Sequence, residues 1–219
     1  MNASPDSAVD IYCERTTSLF WAEPVNALSN LSFIVAAQAI VWLMRRRPGR
    51  AGAASVFLTI NLFAIGVGSF LFHTFANRTM MAADLLPIFI YQLAFLLFYA
   101  RFVAGQKAPT VAGLLALFLL VNLGFLQFPP EWLNGSLLYG GALLFILSIA
   151  AYHHATGKRE PAIVYLAAGI FVVSLAFRSL DQWACGWSPL GTHFIWHLLN
   201  GFVLYLTTRA YLLNQPSNA

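Results

Sequence analysis

The chain has 219 residues, of which 59% are hydrophobic and only 9% charged, with mean hydropathy +0.71 and formal net charge +4. A soluble domain carries about 25% charged residues, so this composition excludes an ordinary soluble globule. The pI near 9.3 is no nucleic-acid signal, because no soluble face exists to hold a basic patch.

Residues 1–20 are polar and hold no apolar core, so no cleavable signal peptide is expected. Uncharged stretches then follow at 24–44, 51–77, 85–100, 108–130, 132–157, 161–177 and 182–208. With its flanks, each approaches the roughly 20 residues that a spanning helix needs. The apolar runs are too long, and alternate too little, for barrel strands. The chain therefore predicts an all-α integral membrane fold, a bundle of seven transmembrane helices. They fall at roughly 25–45, 53–75, 82–102, 109–128, 134–154, 161–179 and 191–212.

Basic residues orient the bundle. Arg45, Arg46, Arg47, Arg50, Arg101, Lys107, Lys158, Arg159 and Arg209 fall on one side of seven spans, and Arg15, Arg78 and Arg178 on the other. The positive-inside rule then puts the N-terminus outside and the C-terminus in the cytoplasm. Cys13 and Cys185 both fall outside, in a compartment that permits disulfides. A bridge across the mouth of the bundle and two unrelated thiols both remain open.

A charged side chain at a helix centre costs about 2.5–3.5 kcal/mol, so polar residues at membrane depth carry the information. The second span ends in GVGSFLFHTFANR, with Ser69 and His73 four residues apart on one face. The third opens with MMAADLLPIF, which holds Asp84 and a proline, Pro87, expected to bend the helix. The seventh begins GTHFIWHLLNG, with His193 and His197 again four apart. The charge asymmetry used none of these residues, yet it places all five at the outer ends of three helices. His153 and His154 lie at the inner end of the fifth span and read as interfacial residues.

Three histidines with an open fourth position are a catalytic zinc set. Asp84 fits a general base beside such a site, and Ser69 a donor to an oxyanion. Plainer readings stand beside these: Ser69 bonding the carbonyl one turn back, and Asp84 capping its helix. Asn26, Asn30 and Asn200 read as helix-to-helix glue, and Arg178 with Asp181 as a local ion pair.

Several segments in order, GSFLFHT, ADLLP, FRSLDQWACGW and HFIWH, preceded by DIYCER and WAEPVNALSN, resemble the alkaline ceramidase family. The likeness is closest to its bacterial branch, and it runs from about Asp10 to about Leu206. The family's seven-helix membrane amidohydrolases share a superfamily with adiponectin-receptor-like proteins. The resemblance implies hydrolysis of the ceramide amide to a sphingoid base and a fatty acid. It implies zinc on His73, His193 and His197, with Ser69 and Asp84 as the catalytic serine and aspartate. It also implies a disulfide between Cys13 and Cys185.

Some members bind calcium through an acidic N-terminal segment and a glutamate opening the first helix. The matching positions are Asp10, Glu14 and Glu23, the hard oxygen donors that Ca²⁺ prefers. Here the sequence departs from the family. One residue is added between the aspartate and Cys13, a tryptophan is missing, and Thr16 replaces an asparagine. An acidic, solvated segment is the plainer reading.

The resulting division is an acidic extracytoplasmic segment over 1–24, a transmembrane catalytic domain over 25–212, and a cytoplasmic tail over 213–219. The expected location is a bacterial inner membrane, with the site on its outer face and a lipid substrate arriving from the bilayer. Two rivals stay open: a non-enzymatic zinc-holding receptor or scaffold, and a related hydrolase of another lipid. A retinal protein is disfavoured, because Lys107 and Lys158 lie in inner loops.

Overall fold

The computed structural model describes residues 4, 7–46 and 52–216. Arg47, Arg50 and the last three residues of the expected tail lie outside them. Among the described residues the chain is helical, with a single antiparallel bridge between Ala8 and Asn77. The helices are α1 (Pro24–Ser29), α2 (Leu31–Arg45), α3 (Ala53–Phe75) and α4 (Arg78–Phe98), then α5 (Ala108–Phe125), α6 (Gly140–Ala155), α7 (Ile163–Ala184) and α8 (His193–Asn214). A π-helical turn, Tyr99–Val103, extends α4, and a 3-10 segment, Trp132–Tyr139, leads into α6.

Six segments are long and apolar enough to cross a membrane: Pro24–Arg45, Ala53–Phe75, Arg78–Val103, Ala108–Phe125, Trp132–Ala155 and Ile163–Ala184. This makes the chain a multi-pass membrane protein. The seventh expected span, α8, has 22 residues but is less apolar. Its polar side chains are the cause: His193, His197, Asn200, Thr207 and Thr208 are all buried. His197, Asn200, Thr207 and Thr208 hydrogen-bond to neighbouring helices, which offsets their cost, whereas His193 Nδ1 is buried without a partner. Tyr91 meets Thr207 and Thr208 at 2.8 Å each, and Asn200 Nδ2 donates to Ser174 Oγ on α7 at 3.1 Å. Asn200 is thus the expected glue, whereas Asn26 and Asn30 bond locally, Asn30 Nδ2 donating to Asn26 O.

The close pairing of α3 and α4 positions the site. Asn77 caps α4 by accepting from Met80 N at 2.8 Å. Pro87 cannot donate, so the Ala83 carbonyl four residues back loses its helical partner. That carbonyl lies against Gly68 of α3, where a Cβ would sit 2.2 Å from it. Glycine at 68 is what allows the two backbones this approach.

The N-terminal segment crosses the end of the bundle where α3 finishes and α8 begins. Val9 N donates to Ala76 O at 2.8 Å. Cys13 and Cys185 form a disulfide with Cα atoms 5.3 Å apart, within the usual range. The Glu14 carboxylate accepts from Val25 N and Asn26 N at 2.6 and 2.7 Å, capping α1 from outside the helix. Exposed Trp21, Trp132, Trp183 and Trp187 sit near this end and Trp42 near the other, as aromatic belts do at membrane interfaces.

Candidate metal centre

His73 comes from the last turn of α3, and His193 and His197 from the first two turns of α8. All three are about 98% buried or more. One ring nitrogen from each lies within 4.8 Å of the others, and among the described residues this is the group that could hold a metal ion. His153 is also buried but stands apart, bonded to Tyr99 Oη at 2.7 Å and to the Arg159 carbonyl at 3.1 Å.

Hydrogen bonds orient two of the rings. His73 Nδ1 lies 2.6 Å from Glu23 Oε2, so Nδ1 carries a proton, and in the neutral ring Nε2 holds the lone pair. Ser29 Oγ donates to the Asn26 carbonyl at 2.8 Å, which leaves it to accept from His197 Nδ1 at 2.7 Å. His197 Nε2 is therefore also a lone pair. The two Nε2 atoms face each other at 3.2 Å. At that distance the two nitrogens need a shared proton or a metal cation between them. Tetrahedral zinc, with Zn–N of about 2.0–2.1 Å, separates its ligand nitrogens by roughly 3.4 Å. The residues fit such an ion. Neutral imidazoles backed by a carboxylate and a hydroxyl are also the usual outer partners of a metal site.

Tyr12 stacks on His193 with ring centroids 3.7 Å apart. Asp181 accepts from Thr192 N and His193 N at 2.7 and 2.9 Å, satisfying the free N–H groups where α8 begins. It also accepts from Cys13 N at 3.1 Å. This corrects the expected Arg178–Asp181 pair, which is absent among the described residues. The α8 terminus offers Asp181 better-placed donors, and Arg178 Nη1 donates to Tyr12 Oη at 3.0 Å instead.

Beside the histidines lies a cavity of about 440 Å³, lined by Ser69, Asp84, Arg178, His193 and His197 among others. Ser69 hydrogen-bonds Asp84. Asp84 Oδ1 is buried without a partner, an acceptor left to serve something in the cavity. A second, apolar cavity of about 90 Å³ shares Phe33, Ile88, Tyr139 and Trp196 with the first.

Asp10, Glu14 and Glu23 do not form a three-carboxylate cluster among the described residues. Asp10 is exposed, both Glu14 oxygens cap α1, and Glu23 is engaged by Arg15, Asn26 and His73. Burial works to raise the Glu23 carboxyl, but the hydrogen bonds it accepts from His73 and Arg15 and the charge of Arg15 hold it below its ordinary 4.5. Sequence reading missed Tyr12, Arg15 and Ser29. A stacking ring, a buried arginine and one helical serine carry no signature spacing.

Comparison with curated proteins returns no match. A family model described as Ceramidase matches residues 3–215. That span covers nearly the whole chain and all the residues of the three-histidine cluster, and the chain belongs to the ceramidase family.

Proposed function

We propose that the chain is a zinc-dependent intramembrane amidohydrolase. It cleaves the amide of ceramide, or of a related N-acyl lipid, to a sphingoid base or amine and a fatty acid. The observation that carries this reading is the buried three-histidine cluster, with His73 and His197 Nε2 atoms facing at 3.2 Å, beside a cavity lined by Ser69 and Asp84. Zinc, when bound, supplies a Lewis acid and lowers the pKa of a water to about 7.

His73, His193 and His197 hold the ion, and Glu23 and Ser29 hold the His73 and His197 rings in the ligating tautomer. Asp84 takes a proton from the attacking water through its unpartnered Oδ1 and returns it to the leaving amine. Ser69 orients Asp84 and lies within reach of the developing oxyanion. The larger cavity receives the amide and head group, and the smaller apolar one receives an alkyl chain.

In this reading α8 is the seventh span, the N-terminus and the site face outward, and the C-terminus is cytoplasmic. The membrane is a bacterial inner membrane. Residues 25–212 form the catalytic domain between the outer segment 1–24 and the tail 213–219. Three protein ligands, one fewer than a structural zinc site takes, favour turnover over a scaffold role.

Purified protein, stripped of metal and reloaded with Zn²⁺, tests the reading on a panel of N-acyl lipids with products read by mass spectrometry. Zinc-dependent release of fatty acid and free amine is expected. Full turnover in the stripped sample refutes it.

A further inference from the structure

Three charged residues of the outer segment and its junction with α1 are buried together: Glu14, Arg15 and Glu23 are 7%, 8% and 3% exposed. Buried charges persist only when paired and hydrogen-bonded. Glu14 spends both oxygens on the α1 backbone. Arg15 does more. Its Nε donates to Glu23 Oε1 at 2.5 Å, its Nη2 to the His73 carbonyl at 3.0 Å, and its Nη1 to the Thr17 carbonyl at 3.3 Å. These acceptors are one carboxylate and two carbonyls, the kind of oxygen set a calcium ion takes. A guanidinium already fills it.

We propose that Arg15 is a built-in cation that clamps the outer segment onto the metal centre, positioning His73 through Glu23, so that no second metal ion is needed. The planar fork of arginine suits this role. It reaches three acceptors in fixed directions, whereas an ammonium is a point charge. The Glu23 oxygen not held by Arg15 fixes the proton on His73 Nδ1. Arg15 also grips the His73 backbone, so the ring and its main chain are located by one side chain. Arg15 thus supplies, as a covalently attached group, the positive charge that an exchangeable ion would otherwise bring to these oxygens. Asp10, the remaining candidate oxygen donor, is left exposed and outside the cluster.

The proposal rests on reading the three histidines as a metal site, and the test separates the two. Metal-free protein is titrated with Co²⁺, following the ligand-field absorption. Wild type that takes up no cobalt overturns the metal reading and this proposal with it. Given uptake by wild type, Arg15→Gln is expected to bind cobalt about 10–100-fold more weakly, with a shifted spectrum. Arg15→Lys is expected to recover part of that affinity. Unchanged cobalt affinity and spectrum in folded Arg15→Gln overturn the clamp.

A calcium experiment on the unmodified chain needs no variant to fold. Ca²⁺ titrated into cobalt-loaded wild type is expected to give no binding heat and no rise in melting temperature. A stoichiometric calcium isotherm that disappears in Asp10→Asn overturns the claim that Arg15 replaces the ion.

Discussion

Gly68→Ala is the sharpest structural test of how the site is assembled. A Cβ at 68 would lie 2.2 Å from the Ala83 carbonyl oxygen and 2.9 Å from its carbon. Ordinary contact begins at 3.4 Å. The obstruction is backbone on both sides, so no side-chain rotation relieves it, and α3 must move from α4 by about 1 Å. That movement falls between Ser69, the next residue on α3, and Asp84, the next residue on α4.

Overpacking of this kind costs about 1–3 kcal/mol, and a misplacement of about 1 Å can cost about 10²-fold in rate. Turnover of an N-acyl sphingoid lipid is therefore expected to fall roughly 100-fold, with a lower melting temperature. Cobalt uptake should persist, because the histidines lie on α3 and α8 and do not depend on α4. Gly113→Ala on α5 is the control: nothing lies within 4 Å of its added methyl, and turnover should hold. Wild-type activity and melting in Gly68→Ala would refute the argument that this contact sets the Ser69–Asp84 geometry.

Other changes separate metal binding from proton transfer. His73→Ala, His193→Ala and His197→Ala should each lose both bound metal, by elemental analysis, and turnover. Asp84→Asn should keep the metal while kcat falls about 10²–10⁴-fold, the usual worth of a general acid–base group. Glu23 has its carboxyl held below 4.5 in the folded chain, so the unfolded chain binds that proton more readily. Its stabilisation is present above its unfolded value and is lost as pH falls through the folded one. Helical signal and metal retention should fall together below pH 4.5, followed by circular dichroism and metal release, and a flat acid limb would contradict it. Cys13→Ser removes the covalent tie between the N-terminal segment and the end of α7, and lower melting with weaker metal retention is expected.

The sequence carried the architecture because a membrane imposes long apolar runs that composition alone reveals. That Ser69, His73, Asp84, His193 and His197 gather at one end of the bundle was legible too, since polar side chains at membrane depth stand out and the i, i+4 spacing sets a helix face. The Cys13–Cys185 pair followed from the family likeness, and the bridge is present. The partners of the ligands were not legible. Glu23 read as a possible calcium donor or a solvated acid, and its bond to His73 was not foreseen, because which group a carboxylate faces depends on how α1 meets α3.

Arg178 and Asp181 read as a pair from their spacing, yet each found a closer partner across the fold, Tyr12 for one and the start of α8 for the other. The break at Asn30 that separates α1 from α2 carries no sequence flag. Hydrophobic length and helical period are local, and one chain displays them. Hydrogen-bond partners 50 or more residues apart, such as Glu23 with His73 or Arg15 with the His73 carbonyl, exist only once the helices have chosen their neighbours. The sequence by itself determined a buried bundle with three histidines at one end; packing decided which groups orient them and which cation stands beside them.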